Sequence, residues 1–322
     1  MGSATAAFDE RRKGSISVGK PADLTVLDQD LTAIGDGFAP GAARSGSSSV
    51  EAFSYARSMS DVVLYEKRGK VALITLNRPD RLNAWTTELG SRYWDCIDEA
   101  TVDPDVRVIV VTGAGRGFCA GADMDLLQGI GSGSAETESA PVRDEHQSYT
   151  TTVPKPVIGA INGACAGLGM VQAMMFDIRF AAAGAKFTTA FGRRGLVAEY
   201  GMSWILPRIV GHGTAMDLLL SARVVLADEA QELGLVNKVF PAETLLDETM
   251  AYANDMADNV ASTSMRSIKQ QVMAGWEWDF ARSNDDTHTR MQHSLRQDDF
   301  REGVRSYLDK RAPEFSQVRS RD

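Results

Sequence analysis

Cysteine is scarce in this 322-residue chain: three residues, Cys96, Cys119 and Cys165, odd in number, far apart and without a CxxC pair. Neither a disulfide framework nor a zinc knuckle is supported, and a reducing, cytoplasmic setting is expected. Positive charge is also in the minority. Lys and Arg total 34 against 43 Asp and Glu, for a net charge of −9, which argues against a broad phosphate-binding surface and hence against a nucleic-acid partner. No apolar run is long enough for a membrane span, which needs about 20 mostly apolar residues. The nearest stretch, Pro156–Phe176, is broken by Asn162, Gln172 and glycines 159, 163, 167 and 169, and reads as a buried loop plus helix. Residues 1–30 carry charges throughout and contain no apolar core of a secretory signal. Nucleotide motifs are absent too: there is no Gly-Lys-Ser/Thr P-loop, and Gly113-x-Gly115-x-Gly117 has the wrong final spacing for a dinucleotide fingerprint. What remains is ordinary for a globular protein, with 43% apolar and 24% charged residues.

The chain reads as three segments. Residues 1–57 form an N-terminal extension ending in a Gly/Ser/Ala-rich linker over 35–60. Within it, Gly14–Ile34 offers two short alternating strands around a Gly-Lys-Pro turn. This run, GSI-x-x-GK-x-ADL-x-VLD, resembles the closing stretch of metal-dependent amidohydrolases. That chemistry needs a metal cage, usually opened by His-x-His, and the four histidines (146, 212, 288, 293) contain no such pair. The extension is therefore expected to be non-catalytic. The core is expected over 58–245. Val62–Lys67 and Lys70–Leu76 read as strands joined at Arg68-Gly69, and Asn83–Thr101 as a helix. Val106–Thr112, Val157–Ile161, Ile178–Ala182 and Lys186–Thr189 read as strands, and Ala166–Phe176 as a helix between them. This is an α/β alternation. The last segment, 246–322, belongs to a mostly helical stretch beginning at Thr214, with helices expected at 214–221, 227–233, 243–260, 262–275 and 284–309.

Two glycine-rich turns follow buried strands: Gly113–Asp123 after 106–112, and Asn162–Met170 after 157–161. Glycine lets the backbone turn sharply and approach a ligand, and a helix start leaves N–H groups unpaired. Side by side, two such turns could aim two donors at one oxygen, as in an oxyanion hole. Alone, each reads more readily as a tight strand–helix connection with no ligand.

Five ordered runs carry a stronger signal: LITLNRPDRLNA (73–84), VIVVTGAGRGFCAGADM (108–124), KPVIGAINGACAGLGM (155–170), DIRFAA (177–182) and ADEAQELGLVNKV (227–239). Over roughly residues 61–315 the chain resembles the enoyl-CoA hydratase/isomerase superfamily, the crotonases. The resemblance implies an α/β fold, a crotonase-like spiral of ββα units with a helical C-terminal oligomerisation region. It also implies an acyl-CoA substrate, a homotrimer or dimer of trimers, and no cofactor beyond the coenzyme A of the substrate. It places the two oxyanion donors at the backbone N–H groups of Ala122 and Leu168, and the CoA path along Arg81, Asn83, Ala84, Gly121, Asp123 and Met124, beside Gly167. The two glutamates of the family's hydratases fall on Val171 and Phe191, neither of which can move a proton. One acid remains in the matching segment, Glu199, where related isomerases carry a lone carboxylate. The resemblance thus favours Δ3,Δ2-enoyl-CoA isomerisation by Glu199. A hydratase of fatty-acid β-oxidation and an inactive acyl-CoA-binding scaffold are the alternatives.

Several residues also have plainer readings. Glu199 suits a helix N-terminus, since Met202–Val210 reads helical. Trp85 walls an acyl pocket or fills the core. Met170, Met174 and Met175 read as core. Arg193-Arg194 reads as a solvated pair, with a phosphate contact as the alternative. Asp123 and Asp125 lack a third ligand at metal spacing, so no metal is expected. His146 reads as a surface residue of a polar loop.

Overall fold

The computed structural model describes residues 62–131 and 147–316. The N-terminal extension with its amidohydrolase-like run, and His146, lie outside the described residues. The first two strands form as expected. β1 (Val63–Arg68) and β2 (Val71–Leu76) make an antiparallel hairpin, its turn closed by Gly69 at φ +63°. β3 (Val108–Gly113), β5 (Val157–Ile161), β7 (Ile178–Ala182) and β10 (Lys238–Phe240) then add in parallel, giving a six-stranded sheet in the order β1-β2-β3-β5-β7-β10. β3 and β5 are buried along their whole length, as their near-continuous apolar runs dictate. A second sheet of four short strands, β4 (Gly117–Cys119), β6 (Ala164–Ala166), β8 (Lys186–Thr188) and β9 (Val225–Leu226), stacks the segments that follow β3, β5 and β7. Each turn of the chain thus contributes one strand to each sheet before a helix returns it.

The apolar residues fall into two cores. One lies on the inner face, where Ile74, Ile109, Val111, Phe118, Cys165, Val171 and Phe187 meet α1 (Thr87–Val102), through Leu89, Tyr93 and Ile97, and α3 (Leu168–Met175), through Met170 and Met174. The other lies where α7 (Leu245–Asn259) lays Leu245, Met250, Ala253 and Ala257 on Val71, Val108, Val110 and Ile158. The 245/246 division therefore falls within the first turn of a helix packed on the sheet.

Three boundaries differ from expectation. The helix expected from Asn83 starts at Thr87, because Leu82 and Asn83 adopt left-handed backbone (φ 49° and 55°) and Thr86 caps the helix by accepting from the Leu89 N–H at 3.2 Å. The helix expected from Ala166 starts at Leu168, because residues 164–166 pair as β6. The helix expected over 284–309 is two, α9 (Phe280–Ser294) and α10 (Asp298–Asp309). Between β4 and these elements lies α2 (Met124–Gly131). The remaining helices are α4 (Met202–Val210), α5 (His212–Ser221), α6 (Ala227–Glu232) and α8 (Ser262–Gly275). Among the described residues no helix is long and apolar enough to cross a membrane.

Candidate active site

β4 and β6 are parallel neighbours, so the turns leaving them run side by side. At Gly121 (φ +102°) the first turn comes so close to the second that an added β-carbon would sit 3.0 Å from the Ala166 carbonyl oxygen. At Gly167 (φ +50°) a β-carbon would lie 3.7 Å from the Gly121 Cα. The two expected donors follow these glycines directly. Trp85 and Ala122 form an isolated parallel bridge in which the Trp85 N–H donates to Gly121 O (2.7 Å) and the Asp123 N–H to Trp85 O (2.9 Å). In such a bridge the N–H of Ala122 itself points to the opposite edge. Leu168 is the first residue of α3, where a helix leaves its N–H unpaired. No described residue accepts a hydrogen bond from the N–H of Ala122 or of Leu168. Two buried turns thus present two free donors beside one another, which is what a developing oxyanion requires.

The first turn is braced by Arg78, a residue the sequence does not single out. Its guanidinium donates to Ala84 O and, at 3.0 Å, to Asp123 Oδ2. Burial is the largest influence on the Asp123 carboxyl and pushes its pKa up. The Asp125 N–H, the Arg78 bond and the charges of Arg78 and Arg81 outweigh it, and the net shift is downward. Asn83 is fully buried, and its amide is used by the fold: Oδ1 accepts from the Arg78 N–H (2.8 Å), while Nδ2 donates to Ala114 O (3.0 Å) and Gly117 O (2.8 Å). It acts on the site by holding the turn. Arg81 is exposed, 3.9 Å from Asp125, and Met124 is half exposed at the start of α2. Trp85 is buried, edge-on to Tyr93 at 5.5 Å and tilted against Trp94 at 6.2 Å. It belongs to the core cluster, the plainer of its two readings. Met170, Met174 and Met175 are buried core residues. Among the described residues no three His, Cys, Asp or Glu side chains cluster as metal ligands.

Val171 and Phe191 are both buried in the inner core. Gln172, one position further along α3, is buried and donates to Gln147. Glu199 lies three residues before α4. Its backbone carbonyl accepts from the Met202 N–H (2.9 Å), but α4 has no side-chain cap. The carboxylate thus sits before the α4 N-terminus without capping it. It makes no hydrogen bond or ion pair with a described residue, and burial, the sole cause, raises its pKa above the usual glutamate value. The loop that carries it is pinned at both ends, Leu196 N–H donating to Phe191 O (3.0 Å) and Tyr200 and Gly201 both taking positive φ (49° and 78°). The same loop reaches the second turn: Arg194 Nη1 lies 4.0 Å from the position a Gly167 β-carbon would take.

A separate apolar cavity of about 440 Å³ lies at the far end of α3, lined by Met174, Ile205, Met265, Lys269, Val272 and Trp276. α3 spans 8 residues, so that cavity is roughly 10 Å along the helix from the Leu168 N–H. Of its charged groups, Lys269 and Asp177 are paired at 2.7 Å, and Arg179 donates to the carbonyls of Leu235 and Phe176.

Comparison with known proteins agrees with this geometry. The sequence profile of the enoyl-CoA hydratase/isomerase family matches residues 66–319. The chain is 34% identical over 261 residues to 1,2-epoxyphenylacetyl-CoA isomerase of Escherichia coli, covering 80% of this chain and 99% of that protein. Among solved structures, an enoyl-CoA hydratase of Mycobacterium marinum is 49% identical, with a TM-score of 0.57 over 66% of this chain and 97% of that one. An enoyl-CoA hydratase of Bacillus anthracis is 26% identical, with a TM-score of 0.74 over 79% and 99%.

Proposed function

Because the chain belongs to the enoyl-CoA hydratase/isomerase family, we propose that it moves a double bond of an acyl-CoA thioester between the Δ3 and Δ2 positions, with Glu199 as its single acid–base group. One observation carries this reading. Of the three places where the family puts a carboxylate, Val171 and Phe191 are buried and apolar, whereas Glu199 is a partly buried carboxylate without a hydrogen-bonding partner. Hydration needs one group to activate water and another to deliver the α proton. A 1,3 shift needs only one. Glu199 takes a proton from C2 of the 3-enoyl thioester, and the C2–H electrons form the C1–C2 double bond of a dienolate. The negative charge moves to the thioester oxygen, facing the N–H groups of Ala122 and Leu168. The carboxylic acid then returns the proton to C4, the C2–C3 double bond forms, and the carbonyl is restored. Those two carbons share one face, so one carboxyl can serve both.

In this reading the CoA portion passes Arg81–Ala84 and Gly121–Met124, no further cofactor is needed, and the setting is cytoplasmic. A homotrimer or dimer of trimers is supported by α9, which buries no residue in the single chain and exposes Phe280 and Met291, by exposed Leu295 just after it, and by Tyr307 and Leu308 on α10. The test is to offer 3-enoyl-CoA and 2-enoyl-CoA side by side to purified protein and separate the products. Conversion of the 3-enoyl ester to the 2-enoyl ester supports the proposal. Rapid hydration of the 2-enoyl ester, with the 3-enoyl ester ignored, replaces it with hydratase activity, and tight binding without turnover replaces it with a scaffold. The name of the Escherichia coli relative puts 1,2-epoxyphenylacetyl-CoA in the same assay.

A further inference from the structure

Resting on the acyl-CoA reading above, we propose that Arg194 is a cationic stabiliser of the enolate, a third electrostatic element beside the two N–H donors. Its guanidinium approaches Gly167, the residue immediately before the Leu168 donor, with Nη1 4.0 Å from where a β-carbon of that glycine would sit. The side chain makes no hydrogen bond or ion pair with any described residue. Its neighbour Arg193 turns elsewhere, donating to Ser221 O at 3.2 Å. The backbone beneath Arg194 is fixed: its N–H donates to Phe191 O (2.9 Å), and Gly195 closes the turn at φ +69° with its N–H on Gly192 O (3.3 Å). Glu199, the nearest carboxylate along the loop, does not neutralise it. Burial alone moves the Glu199 pKa, and it moves it up, whereas an adjacent guanidinium would pull it down.

Arg194 is exposed, so water solvates its charge in the free protein, and its guanidinium is available to an anion bound at the α3 N-terminus. The position of Arg194 selects which one. It flanks the residue that precedes the proposed donor to the thioester oxygen, and the partner proposed for it is that oxygen, neutral in the bound ester and negative in the dienolate. An interaction made only in the charged state speeds the chemical step, whereas a contact to a CoA phosphate, equal in both states, changes binding alone. The two roles separate in kinetics.

The experiment compares wild type, Arg194→Ala, Arg194→Gln and Arg194→Lys in the full-length protein. It has two readouts: steady-state turnover of 3-enoyl-CoA, and exchange of the C2 protons of saturated butyryl-CoA in D2O, which needs the enolate but no double-bond shift. Arg194→Ala and Arg194→Gln are expected to lower kcat and C2 exchange by about 10- to 100-fold, with KM within threefold. Arg194→Lys, which keeps the charge, is expected to restore most of both rates. Melting temperatures should match wild type, because the side chain holds nothing in place. A rise in KM with kcat and exchange unchanged would make Arg194 a phosphate contact and overturn the proposal, as would wild-type rates in Arg194→Ala. If wild type exchanges C2 protons without isomerising the 3-enoyl ester, and Arg194→Ala loses that exchange, the isomerase reading fails while this inference stands.

Discussion

Gly121→Ala probes the close approach of the two turns. The substitution meets two obstacles. At φ +102° an alanine is strained, at a cost of about 1–3 kcal/mol. Its β-carbon would also stand 3.0 Å from the Ala166 carbonyl oxygen, closer than carbon and oxygen pack without strain, and both turns are backbone. Relief requires one turn to rotate, and each turn carries a donor: Ala122 follows Gly121, and Leu168 lies two residues beyond Ala166. Loss of one oxyanion donor costs about 2.7–4 kcal/mol in the transition state, or about 100- to 1000-fold in kcat. The strain alone should lower the melting temperature by about 2–12 °C. Gly184→Ala is the control. Gly184 has φ +83° but nothing within 4 Å of its β-carbon position, so it shares the backbone strain and not the site. Calorimetry and turnover together decide. Both variants should lose stability, and only Gly121→Ala should lose the rate. If Gly121→Ala keeps kcat within threefold of wild type while melting like Gly184→Ala, the donors are not where we place them. Gly167 differs in kind, because a β-carbon there finds ordinary contacts and only the backbone angle opposes it.

Three further outcomes are expected. The Asp123 carboxyl is held below the unfolded carboxylate value of about 3.9, so its stabilisation is complete above that pH and is lost as pH falls through the lower folded value. Arg78→Ala leaves burial less opposed and raises the folded value toward the unfolded one, so the variant should be less stable at neutral pH but its melting temperature should fall less steeply between about pH 5 and pH 3 than in wild type; parallel profiles would contradict the ion pair's role. The acid limb of the pH–rate profile should inflect above 4.5, the ordinary glutamate value, because Glu199 must be ionised to act and burial raises its pKa; an inflection at or below that value would point to another base. Light scattering should give a multiple of three of the 34.8 kDa chain, and a monomer at micromolar concentration would remove the partner surface assigned to α9 and α10.

How much of this was legible in the sequence depended on the range of the interactions. β3 and β5 are mostly apolar runs buried along their whole length, and such runs show themselves locally, as does β7, which carries one charged residue, Arg179. β4 and β6 have three residues each, too few for any period to appear, and they exist because the second sheet assembles from distant segments. The break between α9 and α10 contains Leu295, Arg296 and Gln297, with no Gly or Pro to mark it. In the site, the glycines were visible because the left-handed and tightly packed positions they occupy favour that residue. Arg78 was not, because its partner Asp123 lies 45 residues away, and nothing next to Arg78 announces the pairing. Arg194 looked like half of a solvated pair and is indeed exposed, and its approach to Gly167 emerges only when the loop folds back on α3. Asn83 was expected beside the substrate, and its buried amide clips the turn, a role set by Ala114 and Gly117 some thirty residues on.

The central claim is that Glu199 alone moves the proton, and Glu199→Gln tests it most directly. The amide keeps the size of the side chain and its capacity for hydrogen bonding, but it cannot accept a proton. Turnover of 3-enoyl-CoA and the dissociation constant of a CoA thioester are measured on the same preparation. The account predicts that turnover is abolished while thioester binding stays within several-fold of wild type. A Glu199→Gln protein that keeps most of its rate on 3-enoyl-CoA would contradict it.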